Sequence, residues 1–415
     1  MDRPAGWRSY LRRMTSRRIA DPAVGEQIRA RRLLRGWSIR YAASRAGVSH
    51  ATWSRIERGL QTADNRFMLA DIAGALECAP ADLAGTGVPA LDRATASARA
   101  GVLDLRRALI DIDLTEPPAR PAPPVTELRR SVALADALHR ACDYAGASRL
   151  LPDLLRDLHT ETAGPDHLEA LRLLCDATHI ASTVLRCLGY PADAWLGAER
   201  CRDAADATGD PVLRGHAAYA LARAATACGS YQRGQTLAER AVDDLNPHLS
   251  LPGGPEVLGS LHLVAALASR CRQRLDDSRD LLIEAVRLAR RTGETDTMGM
   301  FFGPTNVNIW QMSIEADNDG DPIRVVEIAR RTDPAAIPAG VRQVYYYADT
   351  ARALTRIGGQ DREAIRFLLT AERTAPQHVR TSTEIAQTIR ILLDRSRRQA
   401  GGTALRALHE RMQTT

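Results

Sequence analysis

Arg40, Arg45 and Arg58 fall close together within residues 38–59, a stretch otherwise rich in small and apolar side chains. With Arg3, Arg8, Arg12, Arg13, Arg17 and Arg18 upstream, they are the residues suited to phosphate groups, because a guanidinium presents five donors in a fixed fork. A second set lies far downstream. The amides of Asn306 and Asn308 could pair with a peptide backbone or a polar small molecule, and Trp310, Gln311, Tyr345, Tyr346 and Arg352 could line the same region. Plainer roles stay open for each: Asn306 as a helix cap, Trp310 as core, one tyrosine closing a repeat.

Catalytic patterns do not emerge. The 10 histidines show no HExxH spacing, no glycine-rich phosphate loop follows a strand pattern, and no GxSxG occurs. The chain is therefore expected not to be an enzyme and to need no cofactor. Its 7 cysteines are odd in number and form no CxxC pair, which argues against a disulfide framework or a metal site and for reduced thiols in a cytosol. No apolar run approaches the roughly eighteen residues that span a bilayer. The arginine-studded first twenty residues lack the apolar stretch of a secretory signal. A cytoplasmic protein without a membrane partner is expected.

The elements that must position these residues follow from charge and period. The 415 residues include 56 arginines, no lysine and 50 acidic residues, for a net charge of +6. Residues 1–85 hold 15 arginines against 8 acids, a net of +7, so the basic excess is confined to the first fifth of the chain. A localised basic segment on a neutral body is the footprint of a polyanion partner, although a solvated arginine-rich tail has the same composition. Apolar content of 45% with only 4% aromatics, supplied mostly by alanine and leucine, favours helix over strand.

Four regions separate. Residues 1–23 form a basic arm ending at Asp21-Pro22; Trp7 and Tyr10 leave open whether it enters a minor groove or packs as a short helix. Residues 24–85 read as short helices divided by Gly36, Gly47, Gly59 and Pro80. Residues 86–125 read as a connecting helix, with Val102, Leu105, Leu109 and Ile112 at helical spacing, followed by a proline-rich linker. From 126 to 415 a motif recurs, a small residue followed by others four and then three positions later. Its anchors are Ala147, Ala194, Gly234, Ser278, Val325 and Ala364, spaced by 47, 40, 44, 47 and 39 residues. The pattern resembles tetratricopeptide repeats with irregular, mostly longer spacing, and predicts stacked helical hairpins whose first helices form a concave surface. A generic helical bundle is the other reading.

Residues 38–59 have the marks of a helix-turn-helix. Ser38 and Ser49 suit helix N-caps, Gly47 suits the turn, and Ala43 is small where two helices must cross. Val48, Trp53 and Ile56 supply apolar contacts that fix the crossing and so present the second helix to a major groove.

These residues resemble the Cro/phage-repressor type helix-turn-helix of the XRE family. The resemblance covers 24–85, including Val24, Gly25, Ile28 and Arg32 of the first helix, the Ile56-Glu57-Arg58-Gly59 ending, and Leu69, Ala73 and Leu76. It implies a five-helix domain in which Arg32 pairs with Glu57 as structure. It also implies that His50, Ala51 and Arg55 face the groove, with Thr52 and Ser54 near the phosphates and Ser49 opening the same surface. Arg55 would bond guanine O6 and N7, His50 a base or a phosphate, and Ala51 a thymine methyl. The family often has a phosphate-binding glutamine where this chain has Ile39; Arg40 beside it could substitute.

The segments Phe301–Trp310 and Leu369–Arg380 look like segments of actinobacterial XRE-family regulators with helical-repeat C-terminal domains. The expected fold is therefore all-α, a helix-turn-helix domain joined to a tetratricopeptide-like α-solenoid. The resemblance implies a homodimeric transcriptional regulator that binds double-stranded DNA and senses a peptide or small-molecule effector. An adaptor that binds a protein partner through its repeats, with the helix-turn-helix as a locus anchor, is the alternative.

Overall fold

A computed structural model describes residues 22–35, 37–61, 66–76, 83, 93–316 and 320–396, with 405, 408 and 412. The arm with Trp7 and Tyr10, and residues 77–85 of the expected five-helix domain apart from Leu83, lie outside them. Among the described residues every regular element is a helix. The chain divides into two compact units, residues 1–89 and 90–415.

The first unit contains α1 (Pro22–Leu34), α2 (Ile39–Arg45), α3 (His50–Glu57) and α4 (Arg66–Ala75). Ser38 Oγ accepts the Tyr41 N–H and Ser49 Oγ accepts the Thr52 N–H, each satisfying a donor that the first turn cannot. Gly47, at φ +64°, makes the left-handed turn between α2 and α3. Ile28, Ala43, Trp53, Ile56, Ile72 and Leu76 form the core. Gly25 sets the closeness of α1 to α3, since a Cβ there would run into the Ile56 carbonyl.

The second unit is built from hairpins: α6 (Val125–Arg140) with α7 (Tyr144–Glu161), α8 (His167–Cys187) with α9 (Pro191–Thr208), and α10 (Pro211–Ala227) with α11 (Tyr231–Leu245). Then come α12 (Gly254–Cys271) with α13 (Leu275–Thr292), α14 (Pro304–Glu315) with α15 (Pro322–Arg330), and α16 (Gly340–Ile357) with α17 (Asp361–Thr374). The six repeat anchors each fall on the fourth residue of the second helix of a hairpin, and all are buried. At three of them the two helices approach closely enough to require a small residue. Ser182 Oγ donates to the Ala194 carbonyl at 2.7 Å, Ser278 Oγ to the Ala266 carbonyl at 2.8 Å, and a Cβ on Gly234 would sit 2.7 Å from Thr226 Oγ1.

One helix departs from its expected place. The helix read as a connector, α5 (Arg93–Ile110), packs on α7 and buries Val102, Leu105 and Leu109. Arg106 grips Asp193 of α9 through two bonds of 2.6 and 2.7 Å, so α5 belongs to the repeat unit. An apolar stripe of that width needs a partner, and α7 provides it. The proline-rich stretch after it carries no helix. It is tied to α7 by Arg120 to Asp157 at 2.7 Å and by His159 Nε2 within 2.7 Å of the Asp113 carbonyl.

The hairpin series also closes on itself. The short α18 (Pro376–Thr381), which precedes α19 (Thr383–Ser396), returns to the first hairpin. Gln377 accepts the Ala145 N–H, and Tyr144 Oη lies 3.2 Å from His378 Nδ1. The first helices of the hairpins therefore face an interior cavity. The loop before α14 adds to its wall, with Phe301 under Arg140 at 4.7 Å and Phe302 filling the space left by Gly259.

Candidate nucleic-acid interface and interior cavity

The position of α3 is set by a buried bond network. Arg32 donates from Nε and Nη2 to the two oxygens of Glu57 at 2.6 and 2.9 Å, and from Nη1 to the Trp37 carbonyl at 2.7 Å. Trp53 Nε1 donates to Glu57 Oε1 at 2.6 Å. Trp53 has no exposed surface, so its indole is core and not a stacking platform for bases.

With Trp53, Ile56 and Glu57 turned inward, helical periodicity turns the positions 50, 51, 54, 55 and 58 outward. His50, Ala51, Arg55 and Arg58 are exposed, and Thr52 and Ser54 are half-buried. The side chains of Arg40, His50 and Arg55 take no hydrogen bond or ion pair among the described residues, which leaves their donors available. The others are partly engaged. Ser49 caps α3 and shares a 2.8 Å bond with Thr52 Oγ1, Arg58 Nε folds back on the Ser54 carbonyl at 3.1 Å, and Arg45 lies 5.7 Å from the Trp37 ring centre. Ile39 packs on the core while Arg40 beside it is exposed, so of the two only Arg40 can meet a phosphate.

The downstream set divides. Asn306, Trp310, Tyr345 and Arg352 line the interior cavity. Asn308, Gln311 and Tyr346 do not. On α14 the cavity face is the row 306, 310, 313, and positions 308 and 311 turn away from it. Tyr346 is directed toward the partner helix of α14, where its hydroxyl donates to the Ala329 carbonyl at 3.0 Å. Asn306 is not a cap: its Nδ2 donates to the Met300 carbonyl at 2.9 Å and its Oδ1 accepts from Arg342 Nε at 2.9 Å. Arg352 pairs with Asp349 at 3.4 Å, and Asp349 also accepts from Ser313 Oγ.

Sequence reasoning missed the strongest features of the cavity, Arg186, Arg223 and Arg342, which come from α8, α10 and α16. The available signal was a lone charge in an apolar run, as in Ala220-Leu221-Ala222-Arg223-Ala224-Ala225. Arg223 lies 4.6 Å from the Trp310 ring centre, and Arg342 lies 5.6 Å from the same ring and 5.1 Å from Tyr345. Burial, with Arg186 adding repulsion, pushes the Arg223 guanidinium down to about 10. Burial lowers Arg342 as well. Burial also works against charge on Arg186, but Cys187 and the Tyr345 hydroxyl beside it outweigh that and raise it. His139, on the same wall, is pushed down to about 3 by burial and then by His179 and Arg186, and is neutral near pH 7. No group of three His, Cys, Asp or Glu side chains among the described residues is arranged to hold a metal, and no described helix is long and apolar enough to cross a membrane.

Residues 23–84 match a family described as a helix-turn-helix domain. No curated protein sequence matches the chain. Among solved structures, Bacillus thuringiensis PlcR in complex with the peptide PapR7 and DNA is similar at 15% identity and a TM-score of 0.31, over 66% of this chain and 96% of that one.

Proposed function

We propose that the chain is a sequence-specific DNA-binding transcriptional regulator, of the XRE type, whose helical-repeat unit senses an effector. The observation that carries this is the division of α3: Trp53, Ile56 and Glu57 locked into the core, His50, Ala51 and Arg55 exposed on the opposite face. A helix held that way can enter a major groove with its outer row against base edges. Arg55 would read a guanine, His50 a base or a phosphate, and Arg40, Arg45, Arg58, Ser49, Thr52 and Ser54 would set the register on the backbone. Two copies in a homodimer would meet half-sites about one helical turn apart.

The repeat unit would act as the sensor. Its half-open cavity, about 570 Å³ in the larger chamber, suits a small molecule or a short peptide segment. Binding there would shift the balance between DNA-competent and incompetent arrangements by its differential affinity for them. The protein would work in the cytoplasm, without catalysis and without a cofactor. Selection from random duplexes followed by titration at several salt concentrations tests the reading. An enriched palindromic motif is expected, and a steep salt slope with no enriched motif would overturn sequence-specific binding.

A further inference from the structure

Three guanidinium groups from three different helices meet in the interior cavity without a carboxylate counterion. Beside Arg186 the lining holds the Cys187 thiol, which burial would push up but which that guanidinium helps draw below its ordinary value. Arg186, Arg223 and Arg342 line both its chambers, and none has a carboxylate within ion-pair distance among the described residues. Their neutral partners are few: Arg186 Nη1 lies 3.3 Å from Tyr345 Oη, Arg342 Nε bonds Asn306, and Arg223 is stacked over Trp310. The acids on the lining are already engaged, Asp349 by Arg352 and Ser313, Glu384 by Ser382 Oγ at 2.8 Å. Three like charges taken out of water with at most one thiolate among them are costly, and a fold retains them where something else neutralises them. A separate observation agrees. His139, 7% exposed, leaves Nε2 without a hydrogen-bond partner among the described residues on the same wall.

We propose that this cavity binds an organic anion, with a carboxylate or phosphate group seated among Arg186, Arg223 and Arg342 and a flat apolar body against Trp310 and Tyr345. A guanidinium fork matches either oxyanion, and charge-assisted bonds in a site shielded from water are the strong ones. Aromatic faces stacked under Arg223 and Arg342 hold both forks in place before the ligand arrives. This takes the cavity to be the effector site proposed above, but the binding chemistry can be tested apart from DNA.

The test uses the full chain, with benzoate, phenyl phosphate, inorganic phosphate and benzamide as probes, followed by calorimetry and thermal unfolding. Benzoate or phenyl phosphate is expected to bind and raise the unfolding midpoint, and the stronger of the two series identifies the oxyanion. Benzamide, which is flat but neutral, is expected to have no effect. Arg223→Met should weaken the anion at least about tenfold, the loss of one charged hydrogen bond, while Arg223→Lys keeps part of the affinity. The unliganded Arg223→Met protein should unfold no earlier than wild type, because like-charge repulsion is relieved. Benzamide binding as well as benzoate, undiminished binding by Arg223→Met, or no response to either anion at millimolar concentration would overturn the proposal. So would a lowered midpoint of unliganded Arg223→Met, which would make the arginine structural. Anion binding that leaves operator affinity unchanged would instead remove the sensor reading and leave the anion site standing.

Discussion

Arg32 and Glu57 lie 25 residues apart in the chain and are joined by two parallel bonds, with Trp53 donating to the same carboxylate. Both partners are more than nine-tenths buried, so the pair fixes α3 on α1 and cannot be broken cheaply. Replacing Arg32 by alanine leaves a buried carboxylate without its cation, and such losses cost about 3–5 kcal/mol. Arg32→Ala should therefore unfold the first unit and abolish DNA binding, although Arg32 touches no base. Amide exchange over residues 22–76 is the measurement; protection equal to wild type would remove the pair from this role.

Arg55 and Trp53 stand two residues apart on α3 with opposite burdens. Arg55 is exposed, so Arg55→Ala should leave stability unchanged while costing about 1–3 kcal/mol of operator affinity and relaxing preference at one base position. Trp53 is fully buried, so Trp53→Ala should cost about 3–5 kcal/mol of stability instead. Arg40→Ala should weaken all duplexes alike and reduce the salt slope by about one. Unfolding curves and competition binding, done together, separate the three. Equal effects of Arg55→Ala on all sequences would make that residue a phosphate contact.

Legibility in the sequence followed the range of the interactions. Caps and turns are local, so Ser38, Gly47 and Ser49 could be placed from type and spacing alone. The anchors Ala147, Ala194, Gly234, Ser278, Val325 and Ala364 were equally legible, because the close approach of two helices in one hairpin repeats at the same register. The cavity was not legible in the same way. It depends on contacts such as Tyr144 with His378, 234 residues apart, which bring the last hairpin back to the first. Nothing local tells Tyr345, which faces the cavity, from Tyr346, which bonds Ala329. Only the helical phase, fixed by packing against α15 and α17, decides between them.

The inter-helix turns offer a test of backbone conformation separate from packing. Gly229 precedes α11 at φ +77°, and a Cβ there would meet nothing within 4 Å. Gly229→Ala should then cost only the left-handed conformation, about 1–2 kcal/mol, with no loss from clashes. Gln273 holds the same place before α13 at φ +62°, so the turn itself tolerates a side chain. A urea midpoint for Gly229→Ala that falls by much more than this would mean that the turn rearranges.

Acid should destabilise the repeat unit through His139. Burial chiefly, with His179 and Arg186 adding repulsion, pushes this imidazole from its ordinary value near 6.5 down to about 3. His216, whose ring centre lies 4.1 Å from that of His179, is lowered by burial in the same direction. Between those two pH values the unfolded chain binds protons that the folded chain refuses, so stability rises with pH across the window and is lost as pH falls below 6.5. Asp176 acts oppositely, since burial raises its carboxyl to about 7 and the folded chain then holds the extra proton. The two contributions overlap in a single titration and must be separated by difference. His139→Gln removes one proton site and leaves Asp176 in place. The gap in unfolding free energy between wild type and His139→Gln should therefore shift in favour of the variant as pH drops from neutrality toward 5. Parallel pH profiles for the two proteins would show that His139 is not held neutral by the fold.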